Sequence, residues 1–536
     1  MGRSEPGLVL AAFLTELKER GGLSYEQLGR KAHLSRSTVH RYCVGRSVPA
    51  TFAPIEAIAT ACQASRADLA KLYRLWERAD LVRPPKAGGA DPVDVVPTQP
   101  DEPVPAPPRA RTRSRIVLAA VLAVLLLAAG SLAAPRDGQP AAASTAIDPP
   151  MWSSAPRVIG PEFVGVTINS NTGLMPTFPV GSVRFWNSKT RWHNLEPARG
   201  LYRWEGLDRL VAGATGVGRP MVFTLGGTPE WASPAGVPTV FGDGSRADPP
   251  DDLADWQRFV RALAERYRGV IGAYELWDEG NIPAFFNGSM AELVEMTRLA
   301  SQAIRGADPA AIVMCPSMGE LWDPVAMGRL TEFAELGGYR YCDGAAVKLG
   351  QRFATDPPET MVPLSRELEK VLHRTRTGIP LWSTGGALDV GNEQPLGADR
   401  GANYAVRFFL AGLYAHYYRM YFYNWGNATI PIVLQPAGGP ETKAARYVAR
   451  LHEWLTDSRI SSCGQGRTAG LPDGLWQCRF ELRGKTFLIW WTLDATLRLP
   501  VAASTTSVER LDGTGAPVEP GATVTVTGSP ILLRVG

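Results

Sequence analysis

The sequence predicts a multidomain chain: an all-α helix-turn-helix domain, a single transmembrane helix, a (β/α)8 or TIM barrel, and a C-terminal β-sandwich. Three observations carry this. Two short capped helices joined by a tight turn lie near the N-terminus. Residues 116–134 form an uncharged apolar run. From residue 158 short apolar strands alternate with amphipathic helices, and after Trp454 the pattern changes to strands alone.

Residues 1–82 read as five short helices. Ser24 and Gln27 have the spacing of a capping box, in which each side chain satisfies the other's orphan amide. Leu28, Ala32 and Leu34 turn inward, Ser35 caps the next helix, and Val39 is that helix's buried residue. Lys31, Arg36, Ser37, Thr38, His40 and Arg41 then lie on or beside the outer face of the second helix of the pair. Arg and Ser/Thr at the start of such a helix suit guanine edges and phosphates in a major groove, so DNA is the expected partner. Residues 1–115 also carry an excess of Lys and Arg, whereas the rest of the chain is close to neutral. The same layout also serves protein docking with a solvated basic face, and that alternative stays open.

Residues 83–115 form a Pro-rich, then basic, linker. At 1.5 Å per residue, a helix over 116–134 covers the ~30 Å core of a bilayer. Arg109, Arg111, Arg113 and Arg115 precede it and only Arg136 follows closely, which puts the N-terminus inside and the larger part outside a cell membrane. A second linker is expected over 135–157. Cys43 and Cys62 then fall on the reducing side. Cys315, Cys342, Cys463 and Cys478 fall where disulfides persist, with 463–478 the expected bridge and 315–342 a second one. No Cys or His cluster has metal-ligand spacing, so neither metal nor cofactor is expected.

Residues 158–455 supply eight strand candidates, at 163–168, 182–186, 220–224, 273–277, 311–315, 344–348, 379–383 and 419–424. A (β/α)8 barrel carries its site at the strand C-terminal ends. Trp186, Trp277, Trp382 and Trp425 fall at or beside four of those ends and Trp231 in a neighbouring loop, a set that reads as stacking platforms for sugar rings. Glu279 follows the fourth strand next to Trp277. A carboxyl packed against indole has a raised pKa and suits a general acid on a glycosidic oxygen. Residues 456–536 alternate with period two, broken by Gly, Asp and Pro, as a β-sandwich does.

Two resemblances add to this. The stretch LSYEQLGRKAHLSRSTVHRYCVGRSVP resembles the Xre-type helix-turn-helix family. The stretches VRFWNSKTRWHNLEPARGLYRWEGLDRL, VFTLGGTPEWAS and YELWDEGNIPAFFNGS resemble clan-A glycoside hydrolases of the β-xylosidase and α-iduronidase type. The second resemblance implies that Glu279 holds the acid/base position and that Arg184 steadies the nucleophile. It also implies a nucleophilic carboxylate after strand seven, ~5 to 5.5 Å from the acid in a retaining enzyme. Here Gly385 stands at that position, Asp278 replaces the Asn that contacts the 2-hydroxyl, and strand six ends in Lys348 in place of His. Asp389 and Glu393 on the following loop are the acids nearest in sequence.

The expectation is a membrane-anchored helix-turn-helix transcriptional regulator with an extracellular, catalytically degenerate glycoside hydrolase-like domain that senses saccharide. Two alternatives remain: a membrane-anchored hydrolase acting on β-glycosides through another carboxylate, and a cell-envelope scaffold whose helix-turn-helix docks on protein.

Overall fold

The computed structural model describes residues 5–79, apart from 33, 35, 46, 50–52, 63, 65–67, 69, 70, 73, 74, 77 and 78, and residues 152–536, apart from 354, 387–395, 428 and 429. These fall into two compact units, divided between residues 134 and 135. The expected linker over 83–115 and span over 116–134 lie outside the described residues. Among the described residues no helix is long and apolar enough to cross a membrane.

The first unit contains α1 (Glu5–Arg20), α2 (Tyr25–Lys31), α3 (Arg36–Cys43) and α4 (Ala53–Ala61). Residues 68, 71, 72, 75, 76 and 79 are helical as well, in keeping with a fifth helix. Leu10, Leu14 and Leu17 recur at helical spacing on α1 and meet Leu28 of α2, Val39 of α3, and Ile55 and Ile58 of α4 in one core. Burying each such side chain contributes roughly 1.5–3 kcal/mol. The capping box forms as read: Gln27 N donates to Ser24 Oγ at 3.2 Å and Ser24 N to Gln27 Oε1 at 2.9 Å. Thr15 Oγ1 donates to the carbonyl of Cys43 at 2.9 Å, which ties the end of α3 to α1.

The second unit opens with β1 (Trp152–Val158), followed by eight parallel strands: β2 (Val164–Ile168), β3 (Ser182–Phe185), β4 (Met221–Thr224), β5 (Ala273–Glu275), β6 (Ile312–Met314), β7 (Ala345–Val347), β8 (Leu381–Ser383) and β9 (Arg419–Trp425). All eight fall within the expected segments or a residue beyond them. Their order is β6-β5-β4-β3-β2-β9-β8-β7, and β6 meets β7 through Asp343 N to Val313 O (2.7 Å) and Met318 N to Ala346 O (3.2 Å). These isolated bridges nearly close the barrel. Its helices are α5 (Trp192–Leu195), α6 (Glu205–Gly216), α7 (Leu253–Arg266), α8 (Met290–Ala307), α9 (Pro324–Glu335), α10 (Met361–Arg374), α11 (Ala398–Tyr414) and α12 (Lys443–Leu455). Asp252, Ser289, Asp323 and Thr442 cap four of them with side-chain oxygens. Cys315 and Cys342 are bridged across the β6–β7 seam.

The C-terminal region adds β10 (Arg459–Gln465), β11 (Trp476–Leu482), β12 (Lys485–Trp491), β13 (Leu497–Pro500), β14 (Thr505–Arg510), β15 (Gly515–Pro517), β16 (Thr523–Val526) and β17 (Ile531–Val535). Seven strands form one sheet, β1-β10-β11-β12-β17-β14-β15, and β13 pairs with β16 in a second, two-stranded sheet. Strand alternation divides the faces: Trp476, Cys478, Phe480 and Trp491 join the barrel's core, whereas Trp490, Leu533, Val524 and Val526 form a separate cluster. Buried Arg407 of α11 grips Glu359 through Nε–Oε1 (2.7 Å) and Nη2–Oε2 (2.6 Å), and Trp491 Nε1 donates to the same Oε1 at 2.8 Å. Cys463 and Cys478, directly paired in the β10–β11 ladder, form the expected disulfide.

One boundary changes. The expected linker over 135–157 runs into β1, whose residues pair antiparallel with β10. Residues 152–157 hold one large apolar residue, Trp152, and as an edge strand with one neighbour they need few more, so composition alone reads them as linker.

Candidate functional site

A cleft of about 500 Å³ opens at the C-terminal ends of the barrel strands, where the fold places ligands. Its floor is a buried ionic network. Arg184 points inward from β3 and contacts Glu275 of β5 twice, Nε to Oε2 at 2.6 Å and Nη2 to Oε1 at 3.1 Å, and contacts Asp278 Oδ1 at 2.6 Å. Thr224 and Thr384 donate hydroxyls to Glu275 at 2.8 and 2.9 Å. Lys348, just past β7, sets its ammonium 2.5 Å from Asp278 Oδ1, 3.4 Å from Glu275 Oε1 and 3.1 Å from the Thr384 carbonyl. Two cations thus face two carboxylates at the base of the cleft, which meets the condition under which buried charges are tolerated.

This network separates the carboxyls. Burial alone would raise Glu275, but Arg184 and Lys348 outweigh it and hold the group at about 2. Glu279 receives no such support: burial first, and the Asp278 charge second, push it up to about 8, against the opposing pull of Lys348. At neutral pH Glu279 is therefore a carboxylic acid with a proton to donate. Its backbone is left-handed, φ 49°, and is fixed by Glu279 N donating to Ser317 Oγ at 3.0 Å.

Gly385 lies past β8 on the same cleft. A Cβ built there would stand 3.2 Å from Lys348 Cδ and 3.6 Å from Nζ, so the lysine fills the space into which a residue-385 side chain would point. Asp389 and Glu393 lie outside the described residues.

The tryptophans divide differently from the sequence reading. Trp186 lines the cleft, edge-on to Phe241 at 5.6 Å, with the Arg191 guanidinium over both rings. The other four do not line it. Trp277 is buried, packs on Trp256 at 5.7 Å and donates to the carbonyl of Phe285. Trp231 packs on Trp192 and donates to the carbonyl of Glu196. Trp382 points into the barrel interior beside Tyr421, under the Arg419 guanidinium at 4.2 Å. Trp425 is buried with its indole N–H on Gln435 at 2.9 Å. Large aromatics at strand ends serve here mainly as core, because the barrel needs volume between strands and helices. The cleft takes its remaining aromatic faces from Phe241, Phe285, Trp322, Phe353 and Tyr423.

Sequence reasoning missed Glu275, Glu320 and the role of Lys348. A glutamate inside the apolar strand Ala273–Glu275 was the available signal, since a buried charge demands a partner on a neighbouring strand.

In the first unit Lys31, Arg36 and Arg41 are exposed, Thr38 and His40 are half-buried, and Ser37 is the second residue of α3. Arg41 donates to Thr38 Oγ1 at 3.3 Å, and the His40 ring meets Tyr25 edge-on at 5.1 Å. His40 thus has a packing partner, and the exposed basic set reduces to Lys31, Arg36 and Arg41.

Comparison with known families and structures agrees with both geometries. Residues 9–72 match the family described as helix-turn-helix domain. They are a helix-turn-helix domain. Solved structures similar to the second unit include glycoside hydrolases. A family 39 glycoside hydrolase from Bacteroides cellulosilyticus superposes with a TM-score of 0.55 at 15% identity, over 71% of this chain and 82% of its own. A glucosidase from Croceicoccus marinus gives 0.52 at 13%, over 72% and 97%. A monomeric β-xylosidase from Caulobacter crescentus gives 0.50 at 12%, also over 72% and 97%. At such identities the likeness establishes a shared fold. No curated protein matches the chain in sequence. The chain thus joins a helix-turn-helix domain to a domain with the glycoside hydrolase fold.

Proposed function

We propose that the chain is a membrane-anchored transcriptional regulator: its helix-turn-helix binds DNA inside the cell, and its barrel domain binds saccharide outside without hydrolysing it by the retaining route. The observation that carries the second half is Lys348 against Gly385. Where the resemblance calls for an attacking carboxylate, this chain has no side chain and a neighbouring ammonium. At residue 385 a covalent glycosyl intermediate has no side chain to form on. The aromatic-walled cleft and the proton on Glu279 remain, and both suit the holding of sugar rings and hydroxyls.

The test is paired. Glycan-array binding by residues 150–536 together with no turnover of aryl β-glycosides is the expected result. Turnover that vanishes in Glu279→Gln would replace this reading by the hydrolase. That second reading draws on one observation, that Glu320 lines the same cleft as Glu279 and offers another carboxylate. Selection of duplex DNA by residues 1–82 tests the regulator half, and its failure would favour the scaffold.

A further inference from the structure

We propose that residues 239–245 form a flap latched across the Trp186 ring by the Arg191–Asp243 ion pair, and that a saccharide stacks on Trp186 only after the latch opens. The second half rests on the saccharide reading above and names the ring and the motion it requires. The first half stands without it.

The first ground is that Trp186 belongs to the cleft and yet is shut away. It lines the cavity, but only 4% of its surface is exposed. Beneath it, a Cβ at residue 226 would stand 2.9 Å from its Cη2, so the ring rests on the backbone of Gly226. The other cover is Phe241, edge-on at 5.6 Å, and the Arg191 guanidinium, 4.8 Å from the ring centroid. A sugar ring that stacks on this indole must displace part of that second cover.

The second ground is how the loop is built. Its neck is closed by Thr239 N, which donates to the carbonyl of Ser245 at 2.9 Å, and by the hydroxyls of the same two residues, 2.7 Å apart. Beyond the neck, residues 240–244 form a short tip that no backbone–backbone hydrogen bond reaches among the described residues. Val240 on that tip is exposed. Gly242 and Gly244 flank Asp243 with left-handed φ of 63° and 93°, a conformation that glycine adopts freely. The Asp243 carboxylate ties the tip in two directions. Its Oδ1 accepts from the N–H and the hydroxyl of Ser245 at 3.0 and 2.6 Å, within the loop, and its Oδ2 accepts from Arg191 Nη1 at 2.8 Å, across to the barrel. A segment with a closed neck and so few outer ties opens as a unit, at a small fraction of the cost of global unfolding.

The third ground is that Arg191 is held in place without the flap. It directly precedes α5, its Nη2 donates to Asn187 Oδ1 at 2.7 Å, and Asn187 Nδ2 donates in turn to the Tyr423 hydroxyl. The same guanidinium lies 3.5 Å from the Phe241 centroid. One side chain, fixed to the barrel through Asn187, thus grips both the carboxylate and the ring of the flap. Arg191 is a positioning residue: letting go of Asp243 frees Phe241 from Trp186 and leaves the Asn187–Tyr423 pair where it is.

Hydrogen exchange and hydroxyl-radical footprinting of the full-length chain, both read by mass spectrometry, test the latch without a ligand. Asp243→Asn should speed exchange across 240–245 about tenfold and raise oxidation of Trp186 several-fold, while the amides of β3 and β5 and the core residue Trp256 stay as in the wild type. Asp243→Glu, which keeps the charge, should stay closer to the wild type. Cellotetraose and xylotetraose then test the use of the latch. The sugar that binds should bind Asp243→Asn several-fold more tightly than the wild type, since opening no longer opposes binding, and should protect Trp186 from oxidation. Unchanged exchange and oxidation in Asp243→Asn overturn the latch. A loosened flap with weaker sugar binding, or with Trp186 left unprotected by a bound sugar, overturns the claim that opening precedes stacking. Binding of neither sugar by either protein overturns the saccharide reading and leaves the latch standing.

Discussion

The Lys348 ammonium stands 2.5 Å from Asp278 Oδ1 and beneath the open Cα face of Gly385. Three departures from the glycoside hydrolase pattern are therefore one arrangement. The lysine takes the volume released at residue 385, and the aspartate supplies the charge that lets a lysine be buried there.

Restoring hydrolysis must therefore begin with the lysine. Gly385→Glu with Asp278→Asn puts a new carboxylate within reach of Lys348, which will pair with it and hold it off the substrate. Adding Lys348→Ala frees the carboxylate. The triple variant is expected to hydrolyse aryl β-glycosides at least about a hundredfold faster than the double, since nucleophile losses cost several powers of ten. Gly385 has no left-handed φ, so the glutamate meets no backbone barrier. Equal rates in both variants would show that Lys348 does not block the site.

Glu279 makes stability fall with pH. Its value of about 8 lies above the ordinary 4.5, so the unfolded chain releases this proton at lower pH than the folded one. Stability is lost as pH rises from about 4.5 to about 8, and the loss is complete above that. Glu279→Gln should match the wild type near pH 4 and exceed it near pH 9 by on the order of 4 kcal/mol. Glu275, held at about 2, acts oppositely: its contribution is present above about 4.5 and disappears as pH falls towards 2. Urea unfolding at a series of pH values checks both. Identical slopes for wild type and Glu279→Gln would contradict the assignment.

Thiol labelling of the denatured, unreduced chain should find two reactive groups, Cys43 and Cys62, both free and buried in the first unit. Replacing Cys463 and Cys478 by Ser opens a 15-residue loop and should cost about 3 kcal/mol in the chain-entropy estimate. Four or six labelled thiols would remove one or both bridges.

On the DNA side, Arg36→Ala should cost ~1–3 kcal/mol and relax the sequence preference of residues 1–82, whereas Lys31→Ala should weaken all sequences alike and flatten the salt dependence. Arg41→Ala should fall between them, because its guanidinium is partly engaged by Thr38. Selection that recovers no sequence above background would end the DNA reading.

Much of this was legible in the residues. The eight barrel strands are short and largely buried, so runs of apolar residues mark them. Ser24 and Gln27 announce their box through spacing alone. Function was less legible where it depends on depth. Trp382 and Trp186 both read as aromatics near a strand end, yet Trp382 is the middle residue of β8 and points into the barrel, whereas Trp186 follows β3 and lines the cleft. Glu275 was overlooked because a strand of three residues leaves no periodicity to break.

The strand that precedes the barrel has a mechanical meaning. β1 lies at the sheet edge, and the first rung met on entering it is Trp152 against Cys463, whose sulfur is bonded to Cys478 on the next strand. A pull applied ahead of residue 152 would therefore load the β1–β10 pairing first, and behind that pairing the disulfide shares the load between β10 and β11. The cleft is built on other strands, so such a pull would reach it last.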